Sequence, residues 1–140
     1  MQIGVETARA VANKRIFVVD NDEITRAILQ FMLRDENETH DLSSLEAAFR
    51  KAAEWPPDLM LVGLPIVEGD STALPRIAER MAGARVLLVA DAGVVANAES
   101  HVGRGAHGVL AKPLTVESVR RRVDGALGLL KAPMIQLQVL

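Results

Sequence analysis

The run Leu59-Met60-Leu61-Val62-Gly63, introduced by Pro57-Asp58 and closed by Leu64-Pro65, most constrains what this chain can fold into. None of its side chains is polar. A half-buried strand alternates apolar and polar residues. A strand apolar throughout is buried on both faces, as in the middle of a parallel sheet with helices above and below. In open sheets of this kind, chemistry gathers just past the carboxyl ends of the central strands. The residue at that end is Gly63, which brings no side chain.

The rest of the chain follows the same logic. Arg15–Asp20 and Arg85–Ala90 are apolar runs rich in β-branched residues, and Val109–Ala111 is a shorter one closed by Lys112-Pro113. Thr39–Ser43 is polar and suits a short edge strand. Five stretches with helical spacing lie between and after these strands. Ile24, Ala27, Ile28 and Phe31 form the first stripe, after Asn21 or Asp22 as cap. Leu45, Ala48, Phe49 and Ala52 form the second, with Ser43 and Glu46 at capping-box spacing. Leu74, Ile77, Ala78 and Met81 form the third, after candidate caps Asp70, Ser71 and Thr72 and before a stop at Gly83. Val94, Val95, Ala98 and Val102 outline the fourth. Val116, Val119, Val123, Ala126, Leu127 and Leu130 form the last, capped by Thr115. The expected order is β-α repeated five times, a doubly wound α/β parallel sheet with right-handed crossovers.

Length, charge and residue usage narrow the function classes. With 140 residues there is room for one domain. The absence of Cys excludes disulfides, thiolate nucleophiles and Cys-ligated metals. A net charge of −2 gives nucleic acid no electrostatic attraction to the whole chain. No apolar run is long enough to span a membrane, and Met1–Asn13 lacks the apolar core of a secretory signal. The expectation is a cytoplasmic protein with no nucleic-acid or membrane partner. Residues 1–13 read as a lead-in, 14–130 as the domain and 131–140 as a tail. In the tail Ile135, Leu137 and Val139 alternate with Gln, the pattern of a half-buried strand. Such a segment is expected to be covered, along an edge of its own sheet or, preferentially, against a second copy in a homodimer.

The pieces RIFVVDND, PPDLMLVGLP, RVLLVAD and GAHGVLAKPL, in this order and spacing, resemble the CheY-like receiver domain of two-component response regulators over residues 14–130. The resemblance implies the flavodoxin-like (βα)5 fold with strand order 2-1-3-4-5. In that family an acidic pair after the first strand holds Mg²⁺. An Asp ending the third strand accepts a phosphoryl group. A Thr or Ser ending the fourth strand and a Lys after the fifth contact the phosphate. Mg²⁺ and the ammonium offset the repulsion between an anionic nucleophile and an anionic phosphoryl group.

Here Asp20 matches the first acid, but the second is Asn21, a weaker ligand for a hard cation. Gly63 stands at the acceptor position, Ala90 at the hydroxyl position and Val109 at the aromatic switch position. Lys112 and Pro113 match, and in the family that bond is commonly cis. The departures imply a degenerate pocket of Asp20, Asn21, Gly63, Ala90 and Lys112. It has no catalytic residue and no cofactor, with Mg²⁺ held weakly at most, by Asp20. Lys112 is expected to pair with Asp20.

The implied function is an atypical single-domain pseudo-receiver, not an enzyme, with no output domain following. It would act through contact with a histidine kinase, another regulator or a second copy. Val109 with Arg120, Arg121 and Arg122 is the expected partner surface. The alternatives are a working receiver phosphorylated on Asp22, Asp70 or Asp91, and a structural dimerisation module.

Two other signals carry less. The G-x-G-x-x-G of Gly103–Gly108 follows a helix and precedes a strand, the reverse of a dinucleotide fingerprint, and reads as a helix stop. His40, His101 and His107 have no metal-ligand spacing.

Overall fold

The computed structural model describes residues 13–129. Strands β1 (Arg15–Val19), β2 (Glu38–Leu42), β3 (Leu59–Gly63), β4 (Arg85–Ala90) and β5 (Gly108–Ala111) form one parallel sheet. Their order is β2-β1-β3-β4-β5, the flavodoxin-like arrangement. The helices are α1 (Glu23–Leu33), α2 (Leu45–Ala52), α3 (Leu64–Glu68), α4 (Ala73–Arg80), α5 (Val95–Glu99, after a 3₁₀ turn at Ala92–Val94) and α6 (Val116–Ala126). All strands run the same way, so every β-to-α connection opens at one end of the sheet.

The all-apolar strands divide their side chains between two cores, as the alternation of a strand requires. Phe17, Val19, Met60, Val62 and Leu88 face one side, where they meet Leu45, Phe49, Leu74 and Ile77. Ile16, Val18, Leu59, Leu61, Leu87 and Leu110 face the other, against Leu29 and Leu33 of α1 and Val119 and Val123 of α6. All five residues of β3 are buried.

The edge strand β2 is held by polar contacts. Glu38 accepts from Arg15 Nε at 2.7 Å and lies 2.8 Å from His40 Nε2, while the His40 ring meets Phe17 edge-on. These partners, the Arg15 hydrogen bond first, hold the Glu38 carboxyl well below its usual range, at about 2.

Several local expectations are corrected. The stripe of Ile24, Ala27, Ile28 and Phe31 faces outward: Ile24 is 69% exposed and Phe31 66%. The buried face of α1 is Thr25, Leu29 and Leu33. The helix carries apolar residues on both sides, and a polar Thr in the true core stripe hides it. The cap of α2 is Ser44, which accepts from Ala47 N at 3.1 Å, not Ser43. Ala73 rather than Ala78 completes the buried face of α4. Helix α3 follows β3 directly, with Pro65 in its first turn, where a missing N–H is harmless. The fourth stripe becomes the 3₁₀ turn and short α5, with Ala98 buried but Val94 and Val102 exposed.

Gly103 and Gly105 have φ of +87° and +115°, so the glycine motif serves a left-handed turn into β5. The lead-in 1–12, Leu130 and the tail 131–140 lie outside the described residues.

Candidate functional site

The β1–α1, β3–α3 and β4–α5 connections and the residues after β5 surround a cavity of about 540 Å³ at the carboxyl end of the sheet. Asp20, Asn21, Ala90 and Lys112 line it, together with Asp22, Glu68 and Asp91. The topology thus brings together the residues that the strand ends singled out.

Asp20 follows the last residue of β1 and is only 5% exposed. Its Oδ1 accepts the Asp22 backbone N–H at 2.9 Å, while among the described residues no hydrogen bond reaches Oδ2. The carboxylate lies against Gly63. A Cβ built on Gly63 falls on it, 2.6 Å from Cγ and 2.9 Å from Oδ1. Asp20 therefore fills the room that a side chain at position 63 would need. Burial raises its carboxyl above the usual range, only partly offset by the Asp22 amide and the nearby Lys112 charge.

Lys112 does not pair with Asp20. Its Nζ lies 3.2 Å from Asp91 Oδ1 and 4.0 Å from Asp22 Oδ2, and donates to Thr25 Oγ1 at 3.1 Å. Asp20 is turned toward Gly63, and the ammonium takes the carboxylates at the mouth instead. The Lys112–Pro113 peptide is cis.

Thr25, which the sequence reading passed over, links this network. Its hydroxyl donates to Asp22 Oδ2 at 2.7 Å. That bond, first among several, holds the Asp22 carboxyl below its usual range. Asp22 also caps α1 through the Ile24 N–H at 3.2 Å. The signal for Thr25 was its place in the Thr25-Leu29-Leu33 stripe.

Asp70 lies outside this cavity, in a neighbouring groove. Its Oδ1 accepts from the Thr72 hydroxyl and amide, and its Oδ2 from Arg76 at 2.6 Å. These contacts hold its carboxyl below the usual range, the Thr72 hydroxyl contributing most.

The expected partner surface is divided. Val109 is 6% exposed and lines a second cavity of about 490 Å³ with His107, Glu99 and Arg122. Arg120 turns to α1, where it donates to Met32 O at 3.4 Å and pairs with Glu36 at 3.8 Å. Arg121 points outward and meets Glu117, one turn earlier, at 3.7 Å.

The cavity sets four carboxylates against one ammonium. Ala90 offers no hydroxyl to a bound oxyanion. Among the described residues no three His, Asp or Glu side chains are placed to hold a metal ion together. The histidines lie apart. His40 is on Glu38, His101 is 3.8 Å from Glu68, and His107 Nδ1 accepts the Val86 N–H at 2.9 Å.

The family model for the response regulator receiver domain matches residues 16–124. The chain belongs to the receiver domain family. The fold of this receiver recurs in solved structures. NtrX from Brucella abortus, in complex with ADP, superposes with a TM-score of 0.76 at 23% identity, over 83% of this chain and 27% of NtrX. The receiver therefore spans about a quarter of that protein. A response regulator from Thermotoga maritima gives 0.70 at 22% identity, over 83% of this chain and 98% of the other. A response regulator receiver modulated diguanylate cyclase from Pelobacter carbinolicus gives 0.65 at 20%, over 82% and 92%. No curated protein matches the sequence.

The chain is thus a receiver domain of two-component signalling, a class that interacts with other proteins such as kinases and effectors. No helix among the described residues is long and apolar enough to cross a membrane.

Proposed function

We propose that this domain is a pseudo-receiver, which transmits by protein–protein contact without being phosphorylated. The observation that carries this is the Asp20 carboxylate lodged against Gly63. Position 63, where the family resemblance puts the acceptor, has no side chain, and the Asp20 carboxylate occupies the space in which one would start. Asp20 itself is a poor substitute, because its carboxylate is buried against Gly63 with Oδ1 held by the Asp22 amide. Lys112 is engaged by Asp91, Asp22 and Thr25, and Ala90 cannot donate to a phosphate. A pocket with four carboxylates and one ammonium repels an incoming phosphoryl group. Mg²⁺ would be held weakly at most, since Asp20 is the one retained acid of the family's pair.

The partners on this reading are a histidine kinase or another regulator, together with a second copy of the chain. The cavity beside Val109 and Arg122 is the surface offered to another protein. Nothing in the reading calls for nucleic acid, a membrane or an enzymatic step.

The competing reading is a working receiver phosphorylated on a substitute carboxylate. Asp22 and Asp91 support it by lining the same cavity as Lys112, and Asp70 is the third candidate. Incubation with acetyl phosphate and Mg²⁺, followed by intact-mass measurement, separates the two. The unmodified mass is expected. A stable gain of one phosphoryl group, mapped to any of these carboxylates or to Asp20, overturns the pseudo-receiver reading.

A further inference from the structure

We propose that the outward face of α1 is the homodimer surface of this chain, and that residues 134–140 of a second copy cover it. The inference rests on the homodimer part of the reading above and is independent of phosphorylation.

Ile24, Ala27, Ile28 and Phe31 run along successive turns of α1, and three of them are large apolar side chains exposed by 69%, 39% and 66%. A single exposed apolar side chain needs no explanation. Three large ones in one stripe on an 11-residue helix form a contiguous apolar patch, the mark of an interaction surface. The inner face already supplies Leu29 and Leu33 to the core, so folding does not require the outer one. The Arg34 guanidinium borders the patch, 5.4 Å from the Phe31 ring centre.

The occupant is argued from where the chain leaves the domain. Helix α6 lies beside α1, joined by Arg120 to Met32 and Glu36. Both helices begin at the cavity end of the sheet and run to the opposite end. The chain beyond α6 therefore starts next to the foot of the α1 stripe. That chain contains Met134-Ile135-Gln136-Leu137-Gln138-Val139-Leu140, in which Ile135, Leu137 and Val139 would share one edge of an extended segment. From Ile135 to Val139 an extended chain covers about 13 Å. The helical stripe from Ile24 to Phe31 covers about 10 Å. The apolar edge is long enough to cover the stripe.

A second copy fits better than the chain's own tail. One strand laid on a helix leaves its backbone groups without a ladder. Two tails related by a two-fold axis can pair with each other and press their apolar edges onto the two α1 stripes. A two-stranded ribbon gains independent stability by packing against a helix, and two-fold self-contact is the commonest oligomer geometry.

The test is sedimentation equilibrium of the full chain at high micromolar concentration. The variants are a deletion of residues 134–140, Phe31→Ser and, as a control for an exposed ring elsewhere, Trp55→Ser. The full chain and Trp55→Ser are expected to be dimeric. The deletion and Phe31→Ser are each expected to weaken the dimer about tenfold or more. Because the chain has no Cys, Phe31→Cys and Leu137→Cys each introduce a unique thiol. Mixed as separate proteins and oxidised mildly, they are expected to form a 31–137 disulfide between chains. A monomeric full chain overturns the proposal. So does a dimer that survives either the deletion or Phe31→Ser, or a failure of the mixed single-thiol chains to form the 31–137 disulfide.

Discussion

Gly63 has an ordinary extended backbone, with φ −61° and ψ 134°, so its conformation would accept any residue. What excludes a side chain is the Asp20 carboxylate. Gly63→Ala should therefore destabilise the domain by about 1–3 kcal/mol, the usual cost of overpacking. The same change in an Asp20→Ser background should cost less, and urea unfolding of the four proteins in this cycle measures the coupling. Equal costs in both backgrounds would show that the two positions do not compete for space.

Asp20 also makes a pH prediction. Its carboxyl is raised in the folded state, so folding disfavours the ionised form. That penalty is absent at acid pH, where both folded and unfolded chains hold the proton. It grows as pH rises through the unfolded value and is complete above the raised one. Asp20→Asn keeps an acceptor for the Asp22 amide and removes the charge. It should raise the melting temperature at neutral pH and change it little below the ordinary carboxylate range. A shift of the same size at both pH values would sink this account.

At the scale of elements, all five strands were legible because four are apolar runs and the fifth is a polar segment between two helical stripes. Helix α1 was legible as a helix but not in its orientation. Its two apolar sides are both periodic, and the polar Thr25 on the inner one made the outer one look like the core. The deciding facts, Leu29 and Leu33 against the sheet and Thr25 bound to Asp22 and Lys112, are tertiary. The two sides should respond oppositely to mutation. Leu29→Ala, at a site with no exposure, should cost about 2–5 kcal/mol. Phe31→Ser, compared at low micromolar concentration where the monomer dominates, should stay within about 0.5 kcal/mol of the parent. Chemical denaturation of both variants checks this, and a larger loss for Phe31→Ser would reverse the assignment of faces.

At the scale of the molecule, the fold and the location of the site were readable because both follow from strand ends. Asp20, Asn21, Ala90 and Lys112 come from three distant segments, yet a parallel sheet delivers them to one cavity. The partners inside the cavity were not readable. Whether Lys112 reaches Asp20 or Asp91 depends on rotamers, and the Asp20 carboxylate lies in the space beside Gly63. The Arg120-Arg121-Arg122 run could not stay one patch, because successive helical residues point about 100° apart. They face α1, solvent and the Val109 cavity in turn.

The carboxylate lodged against Gly63 has a consequence for mutational routes. Consider two changes that together would return an acid to position 63: one introduces it there, the other frees the space by shortening residue 20. Taken in the first order, the intermediate must turn the Asp20 carboxylate out of the space it fills, and selection for stability acts against any cost of that turn. Taken in the second, the intermediate has merely lost a buried acid and keeps its fold. The two positions are thus coupled: an acid returns to position 63 only as the Asp20 carboxylate is turned away, as in family members that keep both acids, or shortened.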